Sequence, residues 1–151
     1  MTARVAAWLK SLVDGIGAAT GAALTSQLPE FVQQYLQRLG GHRDEALNFV
    51  QILKSQGTDV SSAVFTLAQA RADSLVRAFD AISQAGDLAR PAIFLRYMDV
   101  EIARATLNLF LPAVPLTPAG LVYGGIGLIL GLAVINLALM PFTLMRRRVR
   151  I

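Results

Sequence analysis

The stretch "VYGGIGLILGLAVINLALMPFTLMRRRVRI" (residues 122–151) sets the terms for reading the rest of the chain. It is apolar up to Met145 and then carries four arginines in five positions, Arg146, Arg147, Arg148 and Arg150. Counted from Leu121 to Met145, 25 residues pass without a charged side chain. A helix rising about 1.5 Å per residue covers about 37 Å over that run, more than the ~30 Å hydrocarbon core of a bilayer. A buried helix in a soluble domain of this size seldom runs so far without a charge. The reading is a transmembrane helix, with the arginines as its topology anchor on the cytoplasmic side.

Composition agrees with a lipid-facing chain. Of 151 residues, 54% are hydrophobic and 16% charged, against roughly 25% charged in ordinary soluble domains. The absence of cysteine excludes disulfides, thiolate metal sites and cysteine nucleophiles together. The net charge of +4 belongs to the ends. Residues 1–28 carry Arg4, Lys10 and Asp14, residues 119–151 carry four arginines and no acid, and the middle is nearly balanced. Charge so placed points to a lipid bilayer as partner and away from nucleic acid.

The glycines of the last segment are ordered. Gly120, Gly124, Gly127 and Gly131 follow a 4-3-4 spacing continued by Val134 and Ala138, which draws one stripe along a helix. Two GxxxG pairs in that stripe permit close backbone approach, so helix–helix packing is expected there. Asn136 is polar within the run and is expected to find a partner across an interface.

"VAAWLKSLVDGIGAATGAALTSQL" (residues 5–28) is less apolar. Asp14 and the glycines interrupt it too early for a signal peptide, so it is read as retained. It is expected to be a second span, with an interfacial amphipathic helix as the alternative. Gly17 and Gly21 form a further GxxxG, a counter-surface for the C-terminal stripe. Asp14 lies ten residues after Arg4, and Asn136 ten before Arg146. Each then sits about 15 Å inside the same boundary. Asp14 and Asn136 are therefore expected to hydrogen-bond within the membrane, with Lys10 reaching back to the headgroups; a local Lys10–Asp14 pair at i, i+4 is the alternative.

Turn signals divide the middle. Pro29 and Glu30 in "QLPEF" mark a helix start. "SQGTDV" stops one helix near Gly57 and caps the next at Thr58 or Asp59, and "QAGDLARP" repeats the pattern with Gly86 and Asp87. No stretch alternates like a strand. Heptad-like seams run Val32, Tyr35, Leu39, His42, Ala46, Phe49, Leu53; then Phe65, Ala68, Ala72, Leu75, Phe79, Ile82; then Leu95, Met98, Ile102, Ala105, Leu109. Such spacing favours helices packed at shallow angles. If both termini are cytoplasmic, the middle must leave the membrane and return. Helices over 59–85 and 88–111 then form a hairpin, and Gly40–Gly41 hinges the segment before it. A single straight helix there is the alternative, under which the N-terminal segment does not span.

The expected organisation is therefore 1–28, an N-terminal transmembrane or interfacial helix; 29–57, a hinged helix near the membrane; 58–111, an antiparallel helical hairpin; 112–118, a stiff proline-rich link; and 119–151, the C-terminal transmembrane helix with its basic tail. The fold class is an all-α membrane protein, two transmembrane helices flanking an extramembrane helical hairpin or bundle. "SQLPEFVQQYLQRLGGHRDEA" and "PAVPLTPAGLVYGGIG" resemble the two signature regions of an uncharacterised bacterial membrane family, domain of unknown function 2937, over most of the chain. The resemblance implies a bacterial inner-membrane protein and brings no activity with it.

No chemistry stands out. His42 is the only histidine, and with no cysteine a metal site has little support; no cofactor and no catalytic residue is expected. Asp73, Arg77 and Asp80, and Glu101 with Arg104, read as solvated ion-pair ladders. Neither a P-loop nor a nucleophile elbow appears. Surfaces remain. Phe31, Tyr35 and Arg38, among Gln33, Gln34 and Gln37, suggest either a docking interface or an aromatic anchor in headgroups. The expected function is a non-enzymatic accessory or scaffold subunit of an inner-membrane complex, gripping a larger membrane protein or a copy of itself through the glycine-rich transmembrane faces and presenting a helical surface. The alternatives are a homo-oligomeric channel or transport protein, and a lipid-binding or membrane-shaping one.

Overall fold

A computed structural model describes residues 2–56, 61–113 and 117–148. Among them are six α-helices and no strand: α1 Thr2–Ser26, α2 Leu28–Ser55, α3 Ser62–Ser83, α4 Arg90–Tyr97, α5 Val100–Asn108 and α6 Pro118–Arg148. The fold is all-α. The chain divides into two compact units, one of residues 1–28 and 113–151, the other of 29–112.

The first unit is α1 against α6. Lys10 meets Asn136, Gly17 meets Gly131, Gly21 meets Gly127 and Thr25 meets Tyr123. Position numbers rise on one helix as they fall on the other, so the pair is antiparallel. Helix α6 starts at a defined point. Pro118 occupies the first helical position, and Thr117 caps it by accepting from the Gly120 amide at 3.1 Å, the arrangement that satisfies an otherwise orphan N–H. The preceding chain is clasped by Gln27, whose side-chain amide both donates to the Ala113 carbonyl (2.9 Å) and accepts from its N–H (3.0 Å).

The second unit is built on α2, which runs without interruption through Gly40 and Gly41. The expected hinge is absent, because helical hydrogen bonding continues across both glycines. The straight-helix alternative holds, but its corollary that residues 5–28 do not span loses its premise, because residues 88–111 form two helices and change the count of chain reversals. Helix α3 returns alongside. The Arg43 guanidinium lies 4.1 Å over the Phe79 ring, and the Lys54 ammonium is 6.0 Å from the centre of Phe65. That order makes α2 and α3 antiparallel. The cap expected at Thr58 or Asp59 lies outside the described residues.

The helix expected over 88–111 is two helices. Met98 and Asp99 are both extended, and the Asp99 carboxylate accepts from the Glu101 and Ile102 amides as the N-cap of α5. A break of this kind resets helical phase. Leu95 and Leu109 of the expected third seam are exposed accordingly, whereas Phe94 and Thr106 are buried. The first seam also drifts: Phe49 is exposed and Val50 buried. Asp87 does not cap α4 but pairs with Arg90 at 3.2 Å, and the Asp73–Arg77–Asp80 ladder is replaced by a Gln69–Asp73 hydrogen bond of 2.9 Å.

The core of this unit gathers Val32, Tyr35, Leu36 and Leu39 of α2, Leu75, Ala78 and Ile82 of α3, Phe94 of α4 and Ile102 of α5. Phe31 and Tyr35 meet Phe94 edge-on, at ring separations of 5.7 and 4.9 Å, and Phe31 also meets Phe110 at 5.5 Å. Such T-shaped contacts place a positive ring edge on a negative face. Gln34 then clasps the start of the link, donating to the Leu111 carbonyl at 2.9 Å and accepting from its N–H.

Candidate functional site

Helix α6 combines an apolar length with an apolar surface. Its window Pro118–Met140 has a mean hydropathy of 2.1, and only 6% of it is buried. A core helix of equal apolarity would be mostly covered by its own protein. Here Leu121, Ile129, Val134 and Leu137 are each more than 60% exposed, as are Trp8 and Leu24 on α1. Of the described helices α6 alone is long and apolar enough to cross a membrane.

The contact between α1 and α6 is made by what glycine lacks. A Cβ at Gly21 would overlap the Gly127 carbonyl oxygen, one at Gly131 the Gly17 carbonyl, one at Gly127 the Thr25 hydroxyl, and one at Gly17 the Ile135 side chain. Gly124 is looser, its Cβ position 3.6 Å from that of Ser26. Gly120 is buried and held by Thr117. Gly125, off the stripe, has nothing within 4 Å. The Thr25 hydroxyl lies 2.7 Å from the Tyr123 carbonyl and 2.8 Å from that of Gly21, so its one proton serves both helices. Gly17 and Gly21 thus meet the C-terminal stripe as the counter-surface read from the sequence; faces occupied by each other within one chain are not free to grip a partner, which corrects that part of the expected function.

The polar residues come together as the alternative had them for Lys10 and Asp14, which pair at i, i+4, with Asn136 as a further acceptor of the lysine. Lys10 Nζ donates to Asp14 Oδ2 at 2.6 Å and to Asn136 Oδ1 at 3.0 Å. Asn136 Nδ2 donates to the Leu132 carbonyl at 2.9 Å. Asp14 and Asn136 therefore do not bond directly. The lysine stands between them because its ammonium donates to both oxygens, while the donor end of Asn136, its Nδ2, is turned to the Leu132 carbonyl and not to Asp14. Asp14 Oδ1 is buried without a partner. Helix α6 continues through Arg146, Arg147 and Arg148, while Arg150 lies outside the described residues.

In the second unit the expected docking surface does not hold together. Tyr35 is fully buried and Phe31 half-buried against two rings. Their i, i+4 spacing marks the core face of α2, the face that also carries Val32 and Leu39. Arg38 is half-buried at the edge of a cleft shared with Glu30 and Thr106.

Sequence reading missed the best-connected polar group here, Asp99. Besides capping α5 it pairs with Arg71 of α3 at 2.8 Å, and its amide donates to the Tyr35 hydroxyl at 2.9 Å. Three helices thus converge on one residue. Burial alone would raise its carboxyl, but the Arg71 hydrogen bond and the Ile102 and Glu101 amides outweigh that and hold it below the usual carboxylate range. Burial pushes the Tyr35 phenol up, against the lowering effect of the Asp99 amide. The signal was present as Asp99 followed by Glu101, a cap with an acid in the first turn. His42 is exposed, 3.9 Å from Glu45. Among the described residues no group of three or more His, Cys, Asp or Glu could hold a metal ion.

A family model described as "Protein of unknown function (DUF2937)" matches residues 9–58 and 51–150. No curated protein and no solved structure matches the chain.

Proposed function

Since the chain belongs to that uncharacterised bacterial family, we propose that it is a non-enzymatic accessory protein of the inner membrane, in which α1 and α6 form a membrane hairpin and residues 29–112 form a helical docking module for a larger membrane protein. The observation that carries this reading is the exposed apolarity of α6, 6% buried at a mean hydropathy of 2.1. Water around such a surface is unfavourable by roughly 25 cal/mol for each Å² of apolar area; lipid removes that penalty. Helix α1 does not reach the same apolarity by itself, and its claim on the bilayer comes from the glycine contact with α6. Its Lys10 and Asp14 neutralise one another at 2.6 Å, which lowers the cost of bringing either into lipid.

The antiparallel pair puts the start of α1 and the end of α6 at one end, and the arginines assign that end to the cytoplasm. Residues 29–112 then belong to the periplasmic side. The chain has no cysteine, so single cysteines at Thr2, Ser83 and Ile151 report sidedness cleanly in intact cells. An impermeant maleimide should label the Ser83 position alone, and the protein should stay in the membrane fraction after alkaline carbonate. Release by carbonate, or labelling of Thr2 and Ile151 from opposite sides, ends the two-span reading.

A further inference from the structure

Leu109 and Leu111 are 65% and 75% exposed, yet they do not sit on a loose end. Gln34 clasps the Leu111 backbone and Gln27 that of Ala113. A backbone so held keeps the two side chains in water unless something covers them. They form the rim of a cleft of about 680 Å³ whose walls include Glu30, Gln34, Arg38 and Thr106. Glu30 and Arg38 are both half-buried and stand about 12 Å apart along the axis of α2. Neither forms an ion pair among the described residues. Arg38 makes no hydrogen bond there either, and Glu30 receives only one, at 3.3 Å from the neutral Gln34 amide.

A cation and a carboxylate that share a cleft without meeting fit neither a simple anion nor a simple cation. They fit a ligand that carries both charges at a separation. A guanidinium takes phosphate through two parallel N–H donors, and a carboxylate takes the N–H groups of an ammonium. The apolar rim adds a requirement for hydrocarbon beside the charges. Covalent connection says where that hydrocarbon comes from. Leu111 precedes Ala113 by two residues, within about 7 Å at full extension, and Ala113 is held by Gln27, the residue after α1. Glu30 is the third residue of α2, which starts two residues past the end of α1. With α1 and α6 in a bilayer, both points are where the chain leaves it, and the polar layer there is roughly 5–8 Å deep.

We propose that this cleft holds the headgroup of a zwitterionic phospholipid with a primary ammonium: its phosphate on Arg38, its ammonium on Glu30, and the start of its acyl chains over Leu109 and Leu111. The inference rests on α1 and α6 lying in the bilayer, but its test is read in detergent and does not depend on sidedness.

The full-length protein is purified in detergent, stripped of lipid and offered phosphatidylethanolamine, phosphatidylcholine or phosphatidylglycerol, and bound lipid is counted by native mass spectrometry. Phosphatidylethanolamine should bind about tenfold more tightly than phosphatidylcholine, which keeps the phosphate but has no N–H to donate; tenfold is the scale of one hydrogen bond to a charged group. Arg38→Gln should weaken binding by a similar factor, and Glu30→Gln should erase the preference over phosphatidylcholine. Leu109→Asn/Leu111→Asn changes two exposed positions, so the fold loses no packing while the lipid loses its apolar rim and binds more weakly. Arg104→Gln, outside this cleft, should change nothing. Equal binding of the three lipids by the native chain overturns the proposal, as does unchanged binding by both Arg38→Gln and the double variant. Displacement of the lipid by excess inorganic phosphate, or a dimer that dissociates in Arg38→Gln, also overturns it, giving the cleft to a free anion or to a second copy. Carbonate extraction of the same protein reports separately on the membrane hairpin.

Discussion

In residues 1–28 and 113–151 two helices meet backbone to backbone, with glycines at the contact and large apolar side chains pointing away from it. In residues 29–112 the arrangement is reversed: Val32, Tyr35, Leu39 and Ile82 are wholly enclosed, two aromatic rings, Phe31 and Tyr35, meet Phe94, and Phe110 meets Phe31. Burial of apolar side chains is the driving force available in water. Close approach of small residues, with a few cross-helix hydrogen bonds, is what remains where the surroundings are as apolar as leucine. The two units thus carry the packing chemistries of two different solvents in one chain.

The contrast is broken most severely by giving the glycine contact a side chain. Gly21→Leu would drive a Cβ into the Gly127 carbonyl, and since backbone cannot yield as a side chain can, α1 and α6 must separate. The expected loss is about 3 kcal/mol or more, read as a fall in detergent melting temperature and as loss of disulfide capture between cysteines placed at Ser26 and Gly124, whose Cβ positions lie 3.6 Å apart. Gly125→Leu, where nothing lies within 4 Å, should change neither. In the other unit the sensitivity is opposite in sense, because removing volume does the damage. Phe94→Ala deletes the ring that Phe31 and Tyr35 both touch, at about 3–5 kcal/mol. Equal tolerance of Gly21→Leu and Gly125→Leu would dissolve the comparison.

Acid should separate the units more finely. The Asp99 carboxyl is held below its ordinary value of 3.8, so its contribution to residues 29–112 is complete above that pH. It is lost as pH falls through the lower folded-state value, because protonation then removes the Arg71 pairing and weakens the cap. Circular dichroism across pH 5 to 2 should show residues 29–112 loosening in that acid window. Asp99→Asn keeps much of the cap and loses the charge, so the titration should flatten, while Asp99→Ala also forfeits the cap, at about 1 kcal/mol. A wild-type profile superimposable on that of Asp99→Asn would show that the Arg71–Asp99 pair contributes nothing.

What was legible in the sequence follows the same division. The glycine stripe was readable because its 4-3-4 spacing defines a helix face without reference to anything else. The seam of α2 was readable at its ends for the same reason. Periodicity failed at residues 98 and 99, where an apolar pattern continues but the carboxylate of Asp99 turns back onto the next helix; a local capping signal outranks the heptad there. At Tyr35 the seam held, since it grouped the residue with Val32 and Leu39 in the core; the docking reading failed there, because an aromatic residue beside Arg38 looks alike whether it faces a partner or the core. Lys10 was misplaced because its second acceptor, Asn136, lies 126 residues away, and only the register of α1 on α6 brings the two together.

That register yields the smallest and most discriminating effect. Asn136→Leu removes the 3.0 Å acceptor of Lys10 but leaves the Lys10–Asp14 pair, so the pair of helices should weaken by about 1 kcal/mol. The single value decides little, as any polar-to-apolar change in α6 also alters its affinity for detergent. A double-mutant cycle removes that ambiguity. Asn136→Leu combined with Lys10→Met should cost less than the sum of the two, since the bond between them can be lost only once. The cycle of Asn136→Leu with Asp14→Asn should be closer to additive, because no direct bond joins those two residues. Coupling confined to the Asp14 cycle would put the carboxylate back against the amide, turn Lys10 outward toward the headgroups, and restore the arrangement that equal depth along the two helices had suggested.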